Sequence, residues 1–160
     1  MAKKLPTKAK LKEELLAVLE DTVRSLSEAH KSTTEGMTHP DNKPENDKDT
    51  RMTEMSYLAR GQAMRLEELM AGVVAVKQMK VAECTKIALG ALVHTEDDDG
   101  AEAHYFVAGE GGGTLLAGGA VKVVTPKSPL GKALLGKSEG DEASFVAGAA
   151  ARVLSILGVD

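Results

Sequence analysis

The chain has 160 residues, with 20 Lys and Arg against 24 Asp and Glu, and its net charge of −4 disfavours non-specific binding to duplex nucleic acid. Its 42% hydrophobic and 28% charged residues describe a soluble folded protein of one domain or two small ones, with apolar runs far short of a membrane span. Two Phe, two Tyr and no Trp argue against a base-stacking platform or an aromatic-walled pocket, and a single cysteine excludes an internal disulfide.

The N-terminus, M-A-K-K-L-P-T-K, is basic with no apolar stretch behind it, so no signal peptide is expected and the cytoplasm is the expected location. Helical periodicity follows. Leu11, Leu15, Val18, Thr22, Leu26 and Ala29 recur every three or four residues. Further on, Met55, Ala59, Gln62, Leu66, Leu69, Val73 and Val76 alternate steps of four and three, the spacing of a coiled-coil seam. Between them T-H-P-D-N-K-P-E-N-D carries two prolines and cannot continue a helix. Two seams joined by a short break predict an antiparallel helical hairpin over residues 1–80, with arms of roughly 25 residues.

The chain changes character near residue 80. Residues 1–80 hold fourteen basic residues and thirteen acids; residues 81–160 hold six and eleven, and are rich in glycine. The second half predicts a small antiparallel sheet with strands at Ile87–Thr95, His104–Ala108, Ala120–Val124, Ala143–Val146 and Arg152–Leu157. Asp98-Asp99-Gly100 reads as a hairpin turn, Asp97–Asp99 as solvated, and Gly109–Gly113 as a loop. Cys84 reads as a buried thiol, since no base is arguable near it.

Residues 131–138, G-K-A-L-L-G-K-S, match the phosphate-binding pattern G-x-x-x-x-G-K-S. The match is misleading. Lys132-Ala133-Leu134-Leu135 prefers helix to loop. Ser128 is a good N-cap, Pro129 suits the first helical position, and Gly136 sits where a left-handed C-terminal glycine belongs. The stretch therefore predicts one short capped helix, 129–135, followed by acids that would repel phosphate.

The break between the long helices carries Asp41, Glu45, Asp47 and Asp49. One reading is capping: Asn46 or Asp47 caps the second helix and the acids favour its positive end. The other is a carboxylate cluster offered to Mg²⁺, which takes one or two protein carboxylates and completes its shell with water and phosphate oxygens. The spacing is not that of an EF-hand. His39 reads as solvated.

The whole layout resembles the Gre family of transcript-cleavage factors, GreA and GreB. The residues carrying the likeness are Ser128-Pro129-Leu130-Gly131-Lys132-Ala133-Leu134-Leu135-Gly136-Lys137, then Gly140-Asp141-Glu142, with a weaker match at Glu45-Asn46, Glu54 and Gly61. The resemblance implies an α+β fold: an N-terminal coiled-coil hairpin, 1–80, and a C-terminal FKBP-like domain, 81–160. It implies that Ser128, Pro129, Leu130, Gly131 and Lys132 face a coiled coil at the rim of the RNA polymerase secondary channel. It also implies that Asp41 and Glu45, supported by Asn46, Asp47 and Asp49, act at the hairpin tip on a Mg²⁺ shared with the polymerase, near the 3′ end of the nascent RNA. The chain would be no enzyme itself, would need no cofactor of its own or membrane, would meet DNA only through the polymerase, and would be a monomer.

The tip departs from the family's pattern. With Glu45-Asn46 aligned, Asn42 stands at the family's Asp, with Asp41 one residue early; Lys48 replaces a Glu, Asp49 a Tyr, and Pro44 is added. The leading expectation is a factor that binds RNA polymerase and stimulates cleavage of backtracked RNA. The alternative is a channel-binding regulator that inhibits or modulates without stimulating cleavage. A prolyl isomerase lacks aromatic walls, having only Tyr105, Phe106 and Phe145 in this half, and a dimerising coiled-coil adaptor is the remaining reading.

Overall fold

The computed structural model describes residues 4–38 and 50–160. Two long helices come first, α1 (Lys8–Thr38) and α2 (Thr50–Gln78), each longer than the roughly 25 residues expected. Thr7 starts α1: its carbonyl accepts from Leu11 N–H at 3.0 Å and its hydroxyl from Lys10 N–H at 3.4 Å. The chain divides into two compact units, one of Val18–Val73 and the other of the N-terminal residues to Ala17 with Val74–Asp160.

In the unit Val18–Val73, the two helices run antiparallel. A Cβ added at Gly36 would stand 3.0 Å from Met55 Cε, which fixes the pairing of the two ends. On α2 the seam residues Met55, Ala59, Gln62, Leu66, Leu69 and Val73 are all buried or half-buried, as the four-three spacing requires. On α1 the outcome differs. Leu26 is half-buried, but Val18, Thr22 and Ala29 are exposed and Leu19, Val23 and His30 face inward instead. Successive steps of four residues early in α1 shift the seam by one position. Each such shift turns a residue by about 100° on the helix.

In the other unit, Leu11 and Leu15 of α1 and Val76 of α2 are buried, each such side chain stabilising by about 1.5–3 kcal/mol. Lys12 Nζ donates to the carbonyls of Lys77 at 2.8 Å and Met79 at 2.7 Å, so a cation satisfies the C-terminal end of α2. Lys8, only 8% exposed, is satisfied by the Ala82 carbonyl at 2.6 Å and by Asp160 Oδ1 at 3.3 Å.

The same unit holds a six-stranded sheet: β1 (Leu92–Asp97), β2 (Glu102–Val107), β3 (Leu115–Leu116), β4 (Val121–Val124), β5 (Glu142–Ala147) and β6 (Ala150–Val159), with α3 (Pro129–Leu134) between β4 and β5. Strand order is β3-β4-β2-β1-β6-β5. The expected sheet was antiparallel; here β2 and β4 pair in parallel, so the sheet is mixed. The long loop between them carries β3 and lets the chain cross over. Strand β1 begins at Leu92, not Ile87. Gly90 has φ +91° and its missing Cβ would lie 2.2 Å from the Lys80 carbonyl oxygen, so the backbone turns there and cannot extend. The turn at Asp98–Gly100 is as read: Asp97 Oδ1 accepts from the amides of Asp99 and Ala101 at 3.0 and 2.8 Å. The core of the domain gathers Ile87, Ala91, Val93, Val107, Val124, Leu134, Ala143 and Ile156. Cys84 is half-buried against this core rather than fully enclosed, and its thiol points at the Asp160 carbonyl 3.5 Å away.

Candidate functional site

The first turn of α3 is built by its own sequence. Ser128 has extended backbone, and its hydroxyl oxygen accepts from Gly131 N–H at 3.0 Å while donating to the Thr125 carbonyl at 2.8 Å. Pro129 opens the helix and Leu135 ends it, with Gly136 following at φ +76°. The expected helix is thus present, one residue shorter. Ser128, Pro129, Leu130, Gly131 and Lys132 lie together on this turn. Pro129 and Lys132 are exposed, Leu130 is half-buried, and Gly131 is buried.

Gly131 has a role that spacing alone did not reveal. A Cβ there would sit 1.8 Å from the Thr125 carbonyl oxygen and 3.0 Å from Ser128 Oγ. Glycine lets α3 close onto the end of β4. This also settles the phosphate-loop match. The amide of Gly131 is held by Ser128 Oγ, that of Leu135 by the Gly131 carbonyl, that of Gly136 by Ile87, and that of Ser138 by Asp141 Oδ2. A phosphate cradle needs those amides free and converging. Here they hold a helix and its exit.

Beside this turn lies a groove of about 520 Å³ bounded by Tyr105, Gly112, Gly113, Val123, Val124, Lys122, Lys127 and Leu130. Burial pushes the Tyr105 phenol above its ordinary range, so it stays a neutral donor at physiological pH. On the β1–β2 hairpin, His94 and His104 are direct cross-strand partners whose rings stack with centroids 4.3 Å apart. His94 Nε2 lies 2.7 Å from Glu102 Oε2. Burial, then the neighbouring His94, pushes His104 below the usual histidine range, with Glu102 opposing them. The hairpin turn at Asp98–Gly100 already implied this pairing, because the turn sets the register of both strands.

The tip residues Asp41, Glu45, Asn46, Asp47 and Asp49, together with His39, lie outside the described residues. Among the described residues no group of three or more His, Cys, Asp or Glu side chains is arranged to hold a metal ion. No helix among them is long and apolar enough to cross a membrane.

Residues 82–160 match the family model described as "Transcription elongation factor, GreA/GreB, C-term". The chain is 41% identical over 73 residues to the transcription elongation factor GreA of Maridesulfovibrio salexigens, a segment covering 42% of this chain and 43% of the relative. The match therefore spans less than half of that relative's length. Two solved structures are similar to the chain. One is the GreA factor homolog 1 (Gfh1) protein of Thermus thermophilus, 18% identical, TM-score 0.39, covering 91% of this chain and 94% of that one. The other is Thermus aquaticus Gfh1, 24% identical, TM-score 0.40, covering 96% and 95%. The capped helix S-P-L-G-K-A-L-L-G-K lies inside the matched residues, and the domain of residues 82–160 is of the GreA/GreB C-terminal family.

Proposed function

We propose that the chain binds bacterial RNA polymerase at its secondary channel and stimulates cleavage of backtracked RNA. The observation that carries this reading is the Ser128-capped turn of α3, which offers Pro129 and Leu130 at the surface of a domain matching the GreA/GreB family. An apolar pair at a rigid, capped helix start is a contact that a partner helix can cover. Ser128 and Gly131 position the turn, Pro129 and Leu130 make the contact, and Lys132 adds a cation at its edge. The partner face is the coiled coil at the rim of the channel.

Catalysis stays with the polymerase. The chain needs no cofactor of its own. Asp41 and Glu45 offer carboxylate oxygens, the donor type that Mg²⁺ takes, to a metal shared with the polymerase near the 3′ end of the nascent RNA. Such a metal would stabilise the attacking and leaving oxygens of the phosphoryl displacement. Asn46, Asp47 and Asp49 would support the tip carboxylates, the two acids by favouring the positive end of the following helix. The protein acts as a monomer, with no membrane and with DNA only in the polymerase complex.

The test is a backtracked elongation complex with labelled RNA. Added chain should accelerate cleavage, and Leu130→Glu should lower polymerase affinity several-fold while circular dichroism stays native, because it places an unpaired charge in a desolvated contact. A chain that binds the polymerase without accelerating cleavage would replace this reading by that of a channel-occupying regulator.

A further inference from the structure

We propose that the groove beside α3 seats an acidic protein segment, which inserts an apolar side chain and sets carboxylates against Lys122 and Lys127. The inference rests on the docking reading above for the identity of the carrier and goes beyond it in naming the partner's chemistry.

The groove is apolar inside and cationic at its rim. Val123, Val124, Tyr105 and Leu130 line its interior, and Lys122 and Lys127 stand exposed at its margin. Its volume of about 520 Å³ has room for a few apolar side chains. Among the described residues no carboxylate lines it. Neither ammonium makes an ion pair among the described residues. The local charge balance is unusual for the domain. Residues 81–160 carry eleven acids and six basic residues, yet 111–138 hold Lys122, Lys127, Lys132 and Lys137 and no acid at all. Cations left unpaired beside an apolar hollow, in an otherwise acidic domain, are complementary to a partner of opposite sign.

The division of labour follows. Rim charges steer encounter and set the partner, and their effect fades with salt. The inserted apolar side chain, covered on all sides, governs how long the complex lasts. A nucleic acid fits less well. Single strands need successive aromatic faces and a track of cations, and the groove offers one aromatic ring and two lysines.

Binding of RNA polymerase core to the immobilised full chain, measured across a salt series, tests the proposal. Lys122→Glu with Lys127→Glu should lower affinity about tenfold or more at low salt and flatten the salt dependence. Lys86→Glu, away from the groove, should do neither. If the double reversal perturbs folding by circular dichroism, Lys122→Gln with Lys127→Gln takes its place and should flatten the salt dependence. Unchanged affinity and salt slope in the folded double variant, with Leu130→Glu still defective, would overturn the acidic partner and leave docking standing. If wild-type chain does not bind the polymerase, the docking reading falls and a second probe decides. A helical peptide of alternating Glu and Leu should then shift the amide resonances of Gly112 and Leu130. No shift, or a larger shift from single-stranded RNA at the same concentration, overturns the proposal.

Discussion

At the scale of single residues, two positions tie backbone chemistry to behaviour. A Cβ at Gly131 would stand 1.8 Å from the Thr125 carbonyl oxygen, and that obstacle is backbone rather than the far end of a flexible side chain. Gly131→Ala should therefore cost about 1–3 kcal/mol, the range for overpacking, despite the better helix propensity of alanine. Urea unfolding followed by far-UV circular dichroism measures it; a neutral or stabilising outcome means the turn can shift. His104 supplies a pH dependence. Its folded pKa is lowered below the ordinary value of 6.5, chiefly by burial and then by the stacked His94. The unfolded chain then binds more protons, so the stability tied to this group is full above pH 6.5 and is lost as pH falls through the lowered folded pKa. In His104→Asn the loss of urea stability between pH 7.5 and pH 5 should be smaller than in wild type. Equal losses would remove His104 as its source.

At the scale of elements, each long helix buries a polar atom. His30 Nδ1 and Gln62 Oε1 are both buried and have no hydrogen-bond partner among the described residues. Each such atom costs about 1–3 kcal/mol of desolvation, whereas replacing both groups by apolar ones is neutral or stabilising. The double variant His30→Leu with Gln62→Leu should raise the unfolding midpoint. A polar seam position also sets register at a cost in stability, so the same variant should form more dimer or misregistered species by analytical ultracentrifugation. A lowered midpoint would show that the two groups are satisfied in solution.

At the scale of the whole molecule, the proposed function puts binding and cleavage on different parts of the chain. Asp41→Asn and Glu45→Gln keep side-chain shape and remove the anionic oxygens that attract a divalent cation. Both should abolish stimulated cleavage while leaving polymerase affinity nearly unchanged. Asp47→Asn and Asp49→Asn should do less, since a charge near a helix start contributes only about 0.3–1 kcal/mol. Cleavage of labelled RNA at limiting Mg²⁺, beside binding measured on the same variants, separates the two. If Asp49→Asn is the most damaging, the metal-facing pair lies further toward α2.

Periodicity and local chemistry were legible in the residues themselves. The four-three seam of α2 holds at every position named, because helix spacing alone selects its inward face. Ser128, Pro129 and Gly136 announced a capped helix because caps act within a few residues, and the Asp98-Asp99-Gly100 turn held for the same reason. What failed depended on residues far away in sequence. The seam of α1 moved from Val18 to Leu19 because two adjacent apolar residues satisfy one pattern equally well, and the opposing helix decides between them. Ile87 reads as strand, but the close approach of Lys80 to Gly90 turns the chain first. The parallel pairing of β2 with β4 and the groove beside α3 join segments that no local pattern links. Local propensity and spacing named the elements and their caps; long-range packing chose the faces, the strand partners and the hollow that a partner can fill.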